Sequence, residues 1–219
     1  MRSVDAEACS AHSGADTRQR LLTAAAREIH VHGFQAASLS RILAKTGVTK
    51  GALYHHFGSK LALGYAVLDE RYAPEMRRRW IEPLSGDVVD PLGTLINIIH
   101  VTGHEMKKSD VLLGCPINNL AQEMSPVDEG FRQGIETLFD EWRSVIQAAL
   151  RRAQSTGTVA AMLDTEATAA FIVASMEGCT GMAKNAQSKD ILMKCGEGLV
   201  SYLQSLRGEP GKDTVARDD

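Results

Sequence analysis

The sequence predicts an all-α protein of about nine helices. Three observations carry that expectation. Apolar residues recur every three or four positions through most of the chain, the spacing of a helix face. Ser, Thr, Asp or Pro stand ahead of these stretches and Gly or Pro behind them, the punctuation of helix starts and stops. Aromatic residues make up only 5% of the chain, while Ala, Leu, Met and charged residues abound and no strand-length alternation appears, so sheets lack their raw material.

The first helix is expected from Asp16 or Thr17, with Leu21, Leu22, Ala25, Ala26 and Ile29 as its apolar stripe and Gly33 as its stop. Ser38 caps a short second helix that buries Leu39, Ile42 and Leu43 and ends at Gly47. Thr49 caps a third helix to about His56, and Ser59 opens a fourth. The fourth continues through Arg77, Arg78 and Arg79 to Trp80, with a kink at Pro74. Pro91 begins a helix reaching about Lys108, and Pro116 begins another to about Met124. Ser125 and Pro126, with Glu129, are expected to open a long helix to Ser155. Asp164 or Thr165 caps a helix to about Ala186, and Ser188 caps the last, to about Leu206.

The chain has 219 residues and 44% hydrophobic content, enough for a small head and a larger body with packed cores. The expected division is a tail at 1–15, a head at 16–76 with its helix-turn-helix at 38–57, a body at 77–207, and a second tail at 208–219. The net charge of −3 argues against a nucleic-acid binder, but its distribution reverses the argument. Between Asp16 and Lys60 seven cations face two anions, a surplus of five that leaves −8 on the remainder. A basic head on an acidic body is what phosphate recognition by one part requires. Cys9, Cys115, Cys179 and Cys195 are too widely spaced for a disulfide framework or a zinc finger, which fits a reduced, cytoplasmic setting. No apolar run approaches a membrane span, so no membrane partner is expected, and no pattern calls for a metal or other cofactor.

The stretch from Gly47 to Lys60 concentrates the chemistry. A Gly turn and a capping Thr lead into a helix of about two turns, which is marginal alone and needs support from its neighbours. Its exposed side chains are cationic and aromatic, as a helix in a DNA major groove requires. Val48, Leu53 and Phe57 are expected to hold the helix in place. Thr49, Ala52 and Tyr54 are placed to meet base edges or a thymine methyl, with Lys50 and Lys60 on phosphate, and Gly51 is a further expected DNA-binding position. His55 reaches phosphate or a base edge, and His56 is open between packing and contact. Ser38, Ser40 and Arg41 sit where the second helix crosses the DNA backbone, and Arg18 stands near the start of the first.

These residues also carry a family pattern. Gly33-Phe34, Ser38, Ile42, Gly47-Val48-Thr49, Gly51-Ala52-Leu53-Tyr54-His55-His56-Phe57 and Ser59-Lys60-Leu61-Ala62-Leu63 stand in the order and spacing of the DNA-binding domain of TetR-family transcriptional regulators. Residues 17–68 resemble that domain, departing at Leu43 and Thr46, where the family usually has Ala. The stretch Gly114 to Arg132 resembles a subgroup of the family more weakly. The resemblance implies an all-α homodimer with a three-helix head, a linking fourth helix and a ligand-binding body. It implies that the last two long helices pair with their copies in a four-helix bundle. It further implies a palindromic double-stranded operator, and an unidentified small-molecule effector that moves the fourth helix and respaces the recognition helices. A regulator of this kind is associated with the nucleoid when DNA-bound.

In the body, Trp80, His100, His104, Cys115, Asn119, Phe139 and Trp142 are candidate pocket residues. His100 and His104 have the i, i+4 spacing of metal ligands but no evident third ligand, and polar lining is the simpler reading. Cys115 precedes Pro116 at a helix N-terminus, where the dipole favours thiolate, which makes it a redox candidate. Ala170, Ala174, Gly178 and Gly181, with Ile191, Leu199 and Tyr202, form the expected dimer seam, because small residues let helices approach closely. Three functions follow in order: a ligand-released repressor, a thiol-sensing repressor acting through Cys115, and a small enzyme using Cys115 with His100 or His104. The enzyme reading leaves the helix-turn-helix unexplained.

Overall fold

The computed structural model describes residues 4–86 and 88–207, with side-chain environments from residue 14 onward. Residues 1–3 of the expected first tail and all of the expected second tail, 208–219, lie outside the described residues. Nine α-helices of eight residues or more and no strand occur among the described residues, as the periodicity predicts.

The chain divides into two compact units. The first ends its leading segment at Met76 and adds Cys115–Leu138; the second comprises Arg77–Gly114 and the segment beginning at Phe139. Within the expected body of 77–207, Cys115–Leu138 clusters with the leading segment instead.

In the first unit, α1 (Val4–His32) begins well before the expected Asp16, so residues 4–15 are helical rather than an irregular tail. Its Leu21, Leu22, Ala25 and Ile29 are buried, as the stripe predicts. Then come α2 (Leu39–Thr46), α3 (Lys50–Phe57) and α4 (Lys60–Val67), each opened by the expected cap. Ile42, Leu53, Phe57, Leu63 and Val67 complete the head's small core. A π-helical turn at Leu68–Tyr72 leads to α5 (Ala73–Met76). Pro74 has no N–H to donate, and a widened turn ahead of it accommodates that loss within a continuing helical path. Tyr72 is buried there, and its hydroxyl donates to the Ala26 carbonyl at 2.6 Å. Later in the chain, α8 (Pro116–Met124) buries Ile117, Leu120 and Met124, and α9 (Glu129–Ser155) begins with buried Phe131, Ile135 and Leu138. The start of α9 corrects the expectation at Ser125: the cap is Asp128, whose carboxylate accepts from Phe131 N at 2.9 Å.

The second unit opens with a π-helical turn at Arg77–Ile81 and a 3₁₀ turn at Glu82–Leu84. Next come α6 (Pro91–Glu105), three residues shorter than expected, and the short α7 (Lys108–Val111). The rest of α9, then α10 (Thr165–Ala186) and α11 (Lys189–Ser205), complete it. Asp164 and Ser188 cap the last two helices as predicted, and Gln187 turns between them at φ 51°. Leu95, Trp142, Ile146, Ile172 and Leu203 are among its buried side chains.

Candidate nucleic-acid interface

α3 is built to be presented. Gly47 takes φ 66°, the left-handed conformation that closes α2 without a Cβ penalty. Thr46, unusual at its position, is buried, and its hydroxyl donates to the Ile42 carbonyl at 3.0 Å and accepts from Val48 N at 3.4 Å. It therefore ties the end of α2 to the turn. The Thr49 hydroxyl accepts from Ala52 N at 3.2 Å, fixing the start of α3. Leu53 is fully buried and Phe57 nearly so, which anchors one face of the helix. Thr49, Lys50, Gly51, Tyr54 and His55 are exposed, and Ala52 and His56 are half-buried. The Lys50 ammonium lies 5.9 Å from the centre of the Tyr54 ring, so the cation and the aromatic share one surface. The His55 and His56 rings meet edge to face at 5.6 Å.

This surface brings together the residues expected on the groove side of α3 and separates them from Leu53 and Phe57. The family profile described as bacterial regulatory proteins, tetR family, matches residues 21–67. The profile described as the C-terminal domain of LmrA/YxaF-like transcriptional regulators matches residues 91–198. The chain belongs to the TetR family.

Relatives agree with that assignment. An HTH-type regulator from the lacX 3′ region of Lactococcus lactis is 30% identical over 60% of this chain and 66% of its own length. The HTH-type transcriptional repressor DhaR of Mycobacterium sp. strain GP1 is 27% identical over 80% of this chain and 86% of its own. The crystal structure of a TetR transcriptional regulator from Chloroflexus aurantiacus matches with a TM-score of 0.78 at 27% identity, covering 90% of this chain and 98% of the other. The family and these relatives are transcriptional regulators.

Other cations of this TetR-family head are engaged within it. Arg18 pairs with both carboxylate oxygens of Glu70 and lies 5.1 Å over the Phe57 ring. Arg41 donates to Glu28 and to the Ala36 carbonyl. Lys45 reaches Glu28 at 3.3 Å. Among the described residues, neither Lys50 nor Lys60 has a carboxylate partner. Lys60 donates to the Gln35 carbonyl at 2.9 Å and sits 5.2 Å over the Phe34 ring. Ser38 accepts from Arg41 N as the cap of α2, and Ser40 is exposed.

Glu28 is the residue that sequence reasoning missed. It is fully buried and accepts from Ser38 N at 3.2 Å as well as from Arg41 and Lys45. Burial pushes its carboxyl up, but the hydrogen bonds from Arg41, Ser38 N and Lys45 outweigh this and hold it below its ordinary 4.5. The one anion between Thr17 and Lys60, amid cations that need a partner, was the available signal.

The expected body residues are not gathered in one place. Trp80 and Trp142 meet in the second unit with ring centres 5.1 Å apart and planes tilted by 38°, and Phe139 is half-buried. His100 and His104 are exposed on α6. Cys115 and Asn119 lie in the first unit, Asn119 on α8 and Cys115 at its N-cap. The Cys115 sulfur accepts from Asn118 N at 3.5 Å, a capping use of the thiol. On α10, Ala170, Ala174, Gly178 and Gly181 are exposed beside Phe171 and Met182. Leu199 is buried inside the protomer, and the half-buried Ile191 packs on Val111, Ala183 and Leu192. Tyr202 is half-buried and meets Phe171 edge to face at 5.0 Å.

Proposed function

We propose that this TetR-family regulator is a dimeric repressor that binds a palindromic operator through α3 and is released by a small-molecule effector of its helical body. One observation carries the reading. The capped α3 turns Lys50, Tyr54 and His55 outward while Leu53 and Phe57 lock its other face. Lys50 meets phosphate by charge, and Thr49, Gly51, Ala52 and Tyr54 approach base edges. Ser38, Ser40 and the exposed part of Arg41 lie where α2 passes the DNA backbone.

Dimerisation places two copies of α3 in successive major grooves, about 34–36 Å apart. The exposed apolar face of α10 at Ala170, Phe171, Ala174 and Gly178 supports a paired state, because such a patch is otherwise unfavourable in water. An effector that binds one conformation of the body more tightly shifts the spacing and lowers operator affinity. The name of the relative DhaR as a repressor supports the sign of regulation. The test is anisotropy of labelled DNA from the region flanking the protein's own gene, across a salt series. Binding that weakens steeply with salt supports the proposal, and its absence refutes it. No helix among the described residues is long and apolar enough to cross a membrane.

A further inference from the structure

Glu123 stands on α8, far along the chain from the helix-turn-helix, yet its contacts lie there. One carboxylate oxygen accepts from Phe34 N at 2.7 Å and the other from Gln35 N at 2.8 Å. These are successive amides of the turn between α1 and α2. The same turn is held from the other side: the Gln35 carbonyl accepts the Lys60 ammonium at 2.9 Å, which also lies over the Phe34 ring. Gly33, at φ 80°, makes room, since a Cβ there would stand 2.8 Å from a Glu123 oxygen. The Phe34 ring is buried edge-on against Phe131 at 4.9 Å, so the turn is seated by packing as well.

We propose that Glu123 is a positioning residue for DNA binding: its carboxylate fixes the α1–α2 turn and, through the Gln35 peptide, the Lys60 ammonium. The inference rests on the DNA-binding reading above. A carboxylate suits the task because two amide donors need two acceptor oxygens, and an ionised acceptor strengthens both bonds. An amide side chain offers one acceptor and sets its own NH₂ against the second N–H. The turn leads directly to Ser38, the cap of α2, so its position sets the entry of the helix-turn-helix.

The experiment uses the full chain and the DNA flanking its own gene, with anisotropy across a salt series and thermal melting in parallel. Glu123→Gln is expected to bind about tenfold more weakly, the loss of one charge-assisted hydrogen bond. Its salt slope is expected to fall by about one as Lys60 loses its orientation. Lys60→Met alone is expected to lower the slope by the same amount, and adding Glu123→Gln to it should leave the slope unchanged. An affinity loss that merely follows a lowered melting temperature at constant slope would overturn the inference, as would an unchanged slope in Lys60→Met. If the wild-type protein binds and Glu123→Gln binds equally well, this inference alone fails. Wild-type protein with no salt-dependent binding overturns the functional reading and this inference with it.

Discussion

The carboxylate of Glu28, fully buried on α1, accepts the guanidinium of Arg41 on α2. With Lys45 and the Ser38 amide it forms the polar joint between the two helices. Arg41 and Lys45 remain about half exposed, so losing Glu28 leaves them hydrated rather than stranded. Glu28→Gln is therefore expected to cost about 2 kcal/mol, the worth of charged hydrogen bonds, and less than breaking a fully buried pair. Because the folded carboxyl lies below its ordinary 4.5, its stabilisation is complete above that value and is lost as pH falls through the lower folded one. Urea unfolding followed by circular dichroism from pH 7 down to about 3 should show a shallower acid loss in Glu28→Gln than in wild type.

Lys50→Ala tests the interface without touching the core. The side chain is exposed, and it has no carboxylate partner among the described residues. Thermal stability should stay within about 0.5 kcal/mol of wild type. Operator affinity should fall by about tenfold and the salt slope by about one, across all DNA sequences alike. Leu53→Ala provides the contrast, since emptying that fully buried site should cost about 2–5 kcal/mol of stability. Binding and melting curves of the two variants would separate contact from support.

Gly64→Ala sets helix propensity against packing. Ala is favoured over Gly in a helix interior by about 1 kcal/mol. Here, however, a Cβ would fall into the Phe34 ring and stand 2.8 Å from the tip of Phe131. Overpacking a filled core costs about 1–3 kcal/mol, so the packing term should win and the head should melt lower. A raised melting temperature would show that the aromatic pair gives way.

The head was legible in the sequence because local chemistry decides it. Ser38, Thr49 and Ser59 cap in place, Gly47 turns, and Leu53 and Phe57 bury, each for reasons contained within a few neighbouring residues. Glu28 and Glu123 were not legible, since each finds its partners across a turn or about ninety positions away, and nothing local distinguishes a carboxylate that will bind a backbone amide. The assignment of Cys115–Leu138 to the body failed for the same reason: chain order does not say which core Phe131 enters. At Ser125-Pro126 the local signal misled, because Asp128, three residues later, supplies the better acceptor for α9. The body's helices were readable, but Leu199 shows that an apolar face does not announce whether it meets its own chain or a copy.

Phe171 tests the paired state. Its ring is 53% exposed on α10 and meets Tyr202 of α11 edge to face at 5.0 Å. It stands beside Ala170 and Ala174, which are small enough to admit a second helix. A charge here is tolerated by a lone protomer, since water already reaches the site, but not by a helix pair that would have to desolvate it. Phe171→Glu should leave the helical content unchanged and convert a dimer to a monomer in light scattering. Because each half-site is then bound separately, the gain from tethering two heads is lost, and operator affinity should fall by about a hundredfold or more. A variant that stays dimeric and binds as wild type would place the seam elsewhere.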